Sequence, residues 1–267
     1  MLQELPTMTP AQFSLVFNMF SFTVATMAAS FVFFVLAQKN LAPKYRISMM
    51  VSALVVFIAG YHYYQILGSW DAAYTLNAAE GIYEYSGKPF NDAYRYVDWL
   101  LTVPLLTVEL VLVMGLPRGK SGSLMAKLGI GAALMIATGY PGEIAETTSS
   151  RVIWGTISSA FMFYVLYVVF TELGETIKQQ SGRAEKLLKN ARLLLLATWG
   201  FYPIVYCFPY FGFEGASVTA GIQVGYTIAD VAAKAGYGVL IYAIAKAKSE
   251  EEGYDLDKMS QVEAAAA

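Results

Sequence analysis

The chain is poor in what soluble and secreted domains rely on. It has one cysteine, Cys207, so no disulfide can close within it and redox compartment cannot be inferred. Its one histidine, His62, leaves no His/Cys set with the spacing of a metal site. Charged residues make up 14% of the 267 positions, against about 25% in an ordinary soluble domain. A net charge of −2, with no basic cluster interleaved with aromatics, gives no footing for a nucleic-acid partner. The opening MLQELPTMTPAQ has no Lys or Arg and so lacks the basic start of a signal peptide; the first apolar segment is read as a retained helix.

What is abundant is apolar, 57% of residues, and it comes in runs. Stretches such as 13–37, 49–67 and 152–170 can cross a bilayer core, which takes roughly 20 helical residues. Seven spans are predicted, at about 11–38, 47–69, 92–115, 123–141, 150–173, 190–210 and 218–246. Polar connections separate them, among them QKNLAPKYR, LPRGKSGS and the run GETIKQQSGRAEKLLKN. Between the second and third spans, GIYEYSGKPF alternates aromatic and polar residues around a Ser-Gly-Lys-Pro turn, which points to a small β-hairpin. One all-α, seven-transmembrane-helix domain over 1–246 is expected, followed by a flexible cytoplasmic tail over 247–267.

Orientation follows from the basic residues. Alternate connections and the C-terminal end hold fourteen Lys and Arg; the opposite side holds only Lys88 and Arg151. The N-terminus is therefore expected outside and the C-terminus in the cytoplasm.

Two basic residues fit neither side: Arg95 and Lys234. With them inside the spans lie Asp98, Glu109, Asp230 and His62. A charge at mid-bilayer costs about 2.5–3.5 kcal/mol on insertion scales, so such residues are by default paired and functional. A structural ion pair between helices is the plainer alternative for any one pair. Asp230 and Lys234 are four residues apart, as are Asp98 and Thr102, and so share a helix face. Asp98 and Glu109 are eleven apart, about 16 Å along one face, with Arg95 a turn outward of Asp98. This is a column of protonatable groups along the membrane normal. Lys234 is too deep to snorkel; burial favours a neutral amine, which can form a Schiff base with an aldehyde. Trp99, Trp199, Tyr202 and Tyr206 are placed to wall a flat apolar ligand, although each alone equally suits packing. Pro203, in mid-span, predicts a kink.

These segments carry a resemblance. RYVDWLLTVPLLTVE in the third span, WGFYP in the sixth and DVAAK in the seventh resemble the signatures of microbial rhodopsins, and the likeness covers all seven spans. Within that family the MLQELP start, the NDAYRYVDWLLTVP block and the KAKSEEEG tail are most similar to the xanthorhodopsin group, light-driven proton pumps with a carotenoid antenna. The resemblance implies all-trans retinal on Lys234 as a protonated Schiff base. It implies Asp98 as proton acceptor, Asp230 as second counter-ion, Glu109 as cytoplasmic donor, Arg95 as exit gate and Thr102 as a partner near the acceptor. His62 matches a histidine that hydrogen-bonds the acceptor. Gly155, where many relatives have tryptophan, matches a notch for a carotenoid ring; taken alone, it equally suits close helix packing. Leu106 stands where some relatives have glutamine, which implies green absorption.

The resemblance further implies a multi-pass protein of a prokaryotic cell membrane, not an enzyme, in trimers or pentamers. One departure is the lack of the paired carboxylates that haloarchaeal relatives carry near the outer end of the seventh span; Glu214 stands alone there. Asp98 argues against an anion pump, and the Asp98, Thr102, Glu109 set against a sodium pump. A photosensory rhodopsin signalling through a transducer is the alternative; Glu109 speaks against it.

Overall fold

The computed structural model describes residues 5–254. Seven helical rods form the bundle. The first four are α1 (Pro10–Ala37), α2 (Pro43–Ala73), α3 (Ala93–Val113) and α4 (Arg118–Glu143). The fifth is α5 (Thr148–Phe170), continued by the short α6 (Glu172–Lys178), and the sixth is α7 (Gly182–Tyr206). The seventh is α8 (Ala216–Val231), a π-turn (Ala232–Gly236) and α9 (Tyr237–Glu251) in unbroken succession.

Local chemistry sets several of the starts. Thr9 caps α1 in a reciprocal box with Gln12, and Pro10 occupies the first turn, where its missing N–H costs nothing. Pro43 opens α2 in the same way. Thr147 accepts from Ser150 N at the head of α5.

Six helices are long and apolar enough to cross a membrane; α7 is the exception. Its first three turns carry Arg183, Glu185, Lys186, Lys189 and Arg192. The sequence alone places all of these but Arg192 in a connection, with the sixth span beginning at about 190. They are helical because Ala184, Leu188, Ala191 and Leu195 recur at helical spacing and are buried, leaving the charges on the other face. The tail boundary expected at 247 likewise falls inside α9, which runs to Glu251. The rest of that tail, residues 255–267, lies outside the described residues, as do residues 1–4.

The hairpin is present, with its turn displaced from the expected one. β1 (Tyr74–Asn77) pairs antiparallel with β2 (Ile82–Tyr85), Tyr74 opposite Tyr85 and Asn77 opposite Ile82. The reversal thus falls at 78–81, not at Ser-Gly-Lys-Pro. Asn77 Oδ1 accepts from the backbone of Ala79 and Glu80, and Gly81 supplies the left-handed conformation at φ 68°. Met8 adds a bridge to Tyr83, and Phe13 stacks on the Tyr83 ring at 3.9 Å. An aromatic cluster of Phe13, Phe20, Trp70 and Tyr74 closes this end of the bundle. A second, larger core runs through the remainder. Large apolar side chains such as Phe22, Phe57, Phe163 and Tyr167 face outward around the bundle, as a lipid-facing surface requires.

Candidate functional site

The site is centred on Lys234, which is 2% exposed and sits within the π-turn. A π-turn breaks the regular i to i−4 ladder for one turn, and such bulges recur at functional positions. From there Nζ lies 2.9 Å from Asp98 Oδ2 on α3 and 2.8 Å from Asp230 Oδ1 on α8. One amine therefore answers two carboxylates, each 1% exposed. A buried charge group of this kind persists only if hydrogen bonds supplement the Coulomb term.

The two acids are supplied unequally. Asp230 accepts from Tyr63 OH at 2.8 Å, Tyr202 OH at 2.5 Å and Trp99 Nε1 at 3.2 Å. Asp98 has the amine alone on Oδ2, and its Oδ1 has no partner among the described residues. Thr102 Oγ1 donates to the backbone carbonyl of Asp98 at 2.9 Å rather than to the carboxylate. His62 is buried, but Nδ1 meets Ile58 O of its own helix at 2.9 Å. The hydrogen bond expected between His62 and Asp98 is not made.

Toward the hairpin end, Arg95 is 1% exposed. It contacts Asp92, donates from Nη2 to Gln223 Oε1 at 2.6 Å, and lies over the rings of Phe20 and Tyr226. Toward the other end, Glu109 is fully buried; Ser52 Oγ donates to its Oε2 at 2.5 Å, and Oε1 has no partner among the described residues. No described Lys or Arg lies within ion-pair distance of it. The predicted column is thus real: Arg95, Asp98 and Glu109 descend one helix, with Lys234 beside Asp98.

From Lys234 a cavity of about 340 Å³ extends between α3, α4, α5 and α7, within the roughly 300–1,000 Å³ of small-molecule sites. Trp99, Leu106, Gly155, Trp199, Tyr202 and Tyr206, all expected at the ligand, line it together with Met135 and Met162. The residues fit the expected retinal on two observations. The cavity is walled by aromatic and aliphatic groups, and it ends on one amine placed between two acids. Gly155 has a second duty: a Cβ there would come within 2.7 Å of the Tyr206 ring, so its absence lets that ring seat against α5.

Pro203 also lines the cavity, but in the last turn of α7 rather than mid-span, since the helix both begins and ends earlier than expected. Sequence reasoning missed Tyr63, Ser52, Gln223 and Tyr226. Tyr226 and Gln223 could have been found, standing four and seven residues before Asp230 on its own face. Tyr63 and Ser52 sit on another helix with no spacing to reveal their partners.

A family model described as bacteriorhodopsin-like protein matches residues 15–248. A green-light absorbing proteorhodopsin of Gamma-proteobacterium EBAC31A08 is 29% identical over 231 residues, covering 86% of each chain. The bacteriorhodopsin of Halobacterium salinarum is 37% identical over 154 residues, 55% of this chain and 54% of that one. Among solved structures, xanthorhodopsin, described as a light-driven ion pump with dual chromophore, matches at TM-score 0.90 and 67% identity. That match covers 94% of this chain and 100% of the other. Thermophilic rhodopsin matches at TM-score 0.90 and 50% identity, over 93% and 99%.

Proposed function

The chain belongs to the bacteriorhodopsin-like family of multi-pass membrane proteins, and on that premise we propose that it pumps protons outward in light, with all-trans retinal joined to Lys234. The observation that carries this reading is the single amine held 2.9 Å from Asp98 and 2.8 Å from Asp230 at the end of an apolar cavity. Retinal bound there would supply light absorption and a change of shape.

The chain's own groups do the rest. Asp98 takes the proton held at the Lys234 nitrogen, because its carboxylate is the one with an oxygen to spare. Asp230, saturated by two phenols and an indole, stays as the standing counter-charge. Glu109 returns a proton from the opposite side. An isolated ionised carboxylate in apolar surroundings costs several kcal/mol, so Glu109, with only Ser52 beside it, keeps its proton until the nitrogen claims it. Outward transport then requires the Arg95 end to face outside. The bias of fourteen basic residues against two supports that direction.

A carotenoid antenna is part of the proposal. Gly155 borders the cavity, and α5 beside it exposes Val152 and Thr156 to the surroundings, which supports lateral approach of a second apolar pigment. The likeness to a dual-chromophore pump supports it further.

Illuminated cells producing the chain with added retinal should acidify their medium, and a protonophore should abolish the change. Lys234→Ala should be colourless and inert. A membrane fraction of the unaltered chain that stays colourless with retinal would sink the reading. A coloured one that moves no protons would leave the photosensory alternative. Adding a keto-carotenoid should extend the action spectrum, and Gly155→Trp should remove that extension while pumping by retinal alone persists.

A further inference from the structure

Between the buried acceptor and the surface at the hairpin end stands one ion pair. Arg95 has a side chain 1% exposed; its partner Asp92 is 38% exposed. The guanidinium is pinned on its other edge by Gln223, whose own backbone carbonyl accepts from Thr227 at 2.8 Å, and is faced by the Phe20 and Tyr226 rings. Among the described residues, Asp92 is the one carboxylate within ion-pair distance of it. Asp92 itself is not on a loose loop. Asn91 N donates to Ser69 Oγ at 2.8 Å, and Phe90 packs on Trp70 with centroids 5.3 Å apart, fixing this corner to the end of α2. Glu143 pairs with Arg151 at 3.2 Å, Glu84 accepts from Asn77, and Glu214 lies in the loop before α8.

We propose that Asp92 is the exit carboxylate of the pump, a transient acceptor that carries the proton leaving Asp98 past Arg95 to the surface. This rests on the pump reading above. Asp92, at the N-cap of α3, stands six residues before Asp98, about 9 Å along the axis, too far for direct transfer and close enough for water to relay around the guanidinium. The O–H bond on Asp98 breaks and one forms on Asp92, whose contact with Arg95 opens. Asp92 then gives the proton to bulk water and the ion pair re-forms. Arg95 keeps its charge throughout, and one proton has moved with no change elsewhere. At rest the pairing keeps Asp92 as carboxylate, so it stores no proton for early release. Release follows the deprotonation of Asp98.

The test uses the full chain with retinal in lipid nanodiscs. A pH dye reads release to bulk, and the carbonyl band of Asp98 is followed by infrared after a flash. In Asp92→Asn the visible band and the protonation of Asp98 should keep their unaltered position and rate. Its deprotonation and release to bulk should slow by roughly 10²-fold, the low end of what a positioned proton-transfer group contributes. Asp92→Glu should release at the normal rate, and added azide or formate should speed release in the Asn variant. Unslowed release in Asp92→Asn would overturn the inference and leave the pump reading intact. So would slowing that neither Glu nor a small weak acid relieves, because Asp92 would then only position Arg95. Absence of release from the unaltered chain would overturn both.

Discussion

At the scale of single residues, an unequal supply of donors separates the two acids that share one lysine. Asp230 holds the hydroxyls of Tyr63 and Tyr202 as well as the amine. Asp230→Asn therefore strands buried groups, and breaking one partner of such a cluster costs about 3–5 kcal/mol. Its thermal midpoint should fall well below that of Asp98→Asn, which loses only the contact to Lys234. Transport should show another pattern: Asp98→Asn moves no protons although it folds and takes up colour. A midpoint for Asp230→Asn equal to that of the parent would contradict the assigned network. Much of this set is legible in the sequence, because a charge inside an apolar run is conspicuous wherever it stands. Tyr63 and Ser52 are not, because a phenol or hydroxyl in a span carries no sign of what it meets across the bundle. His62 shows the converse. It is conspicuous as a lone histidine, but its ring nitrogen bonds the carbonyl of Ile58 on its own helix.

At the scale of elements, the seventh rod carries both the amine and a close helix approach. Gly238, just past the π-turn, faces Phe34 of α1 so closely that a Cβ would lie 2.4 Å from Phe34 Cζ. Phe34 is fully buried and cannot swing away. Gly238→Ala should push α1 from α9 and cost about 1–3 kcal/mol, as overpacking does, read as a lower melting midpoint; an unchanged midpoint would mean that the rods are not so close. The end of α9 is latched to the start of α2: Glu252 accepts from Tyr45 OH at 2.6 Å and pairs with Lys44 at 2.7 Å. Partial burial alone would raise the Glu252 carboxyl, but the bonds from Lys44 and Tyr45 outweigh it and hold the group below its ordinary range. A depressed carboxylate stabilises above its unfolded value, about 4.3, and loses that contribution as pH falls through the folded value. Amide exchange in the last turn of α9 should thus be protected relative to Glu252→Gln at neutral pH, with the difference vanishing in acid. Equal exchange at both would rule out the latch. Element ends are where sequence reading failed most. The start of α7 is as charged as a connection, and only the burial of Ala184, Leu188, Ala191 and Leu195 on one face distinguishes it; Ser-Gly-Lys-Pro is richer in turn formers than the 78–81 turn the hairpin uses.

At the scale of the whole molecule, direction is a global property. It joins the order of groups along α3 to the sidedness of the bundle, and the second half of that statement rests on fourteen basic residues against two. Sealed vesicles turned inside out should therefore acidify within when illuminated, opposite to whole cells; acidification of the same compartment in both would refute the assigned orientation. The sequence by itself determined that the chain lives in a bilayer, crosses it seven times, and keeps an amine and three acids where lipid would otherwise forbid them. Those properties follow from composition and period, which act along one helix at a time. Only the tertiary structure decided which acid the lysine shares with two phenols, that the lysine rides a π-turn, and that Tyr206 fills the space left by Gly155. Such facts depend on distances between helices, and no spacing within a single helix encodes them.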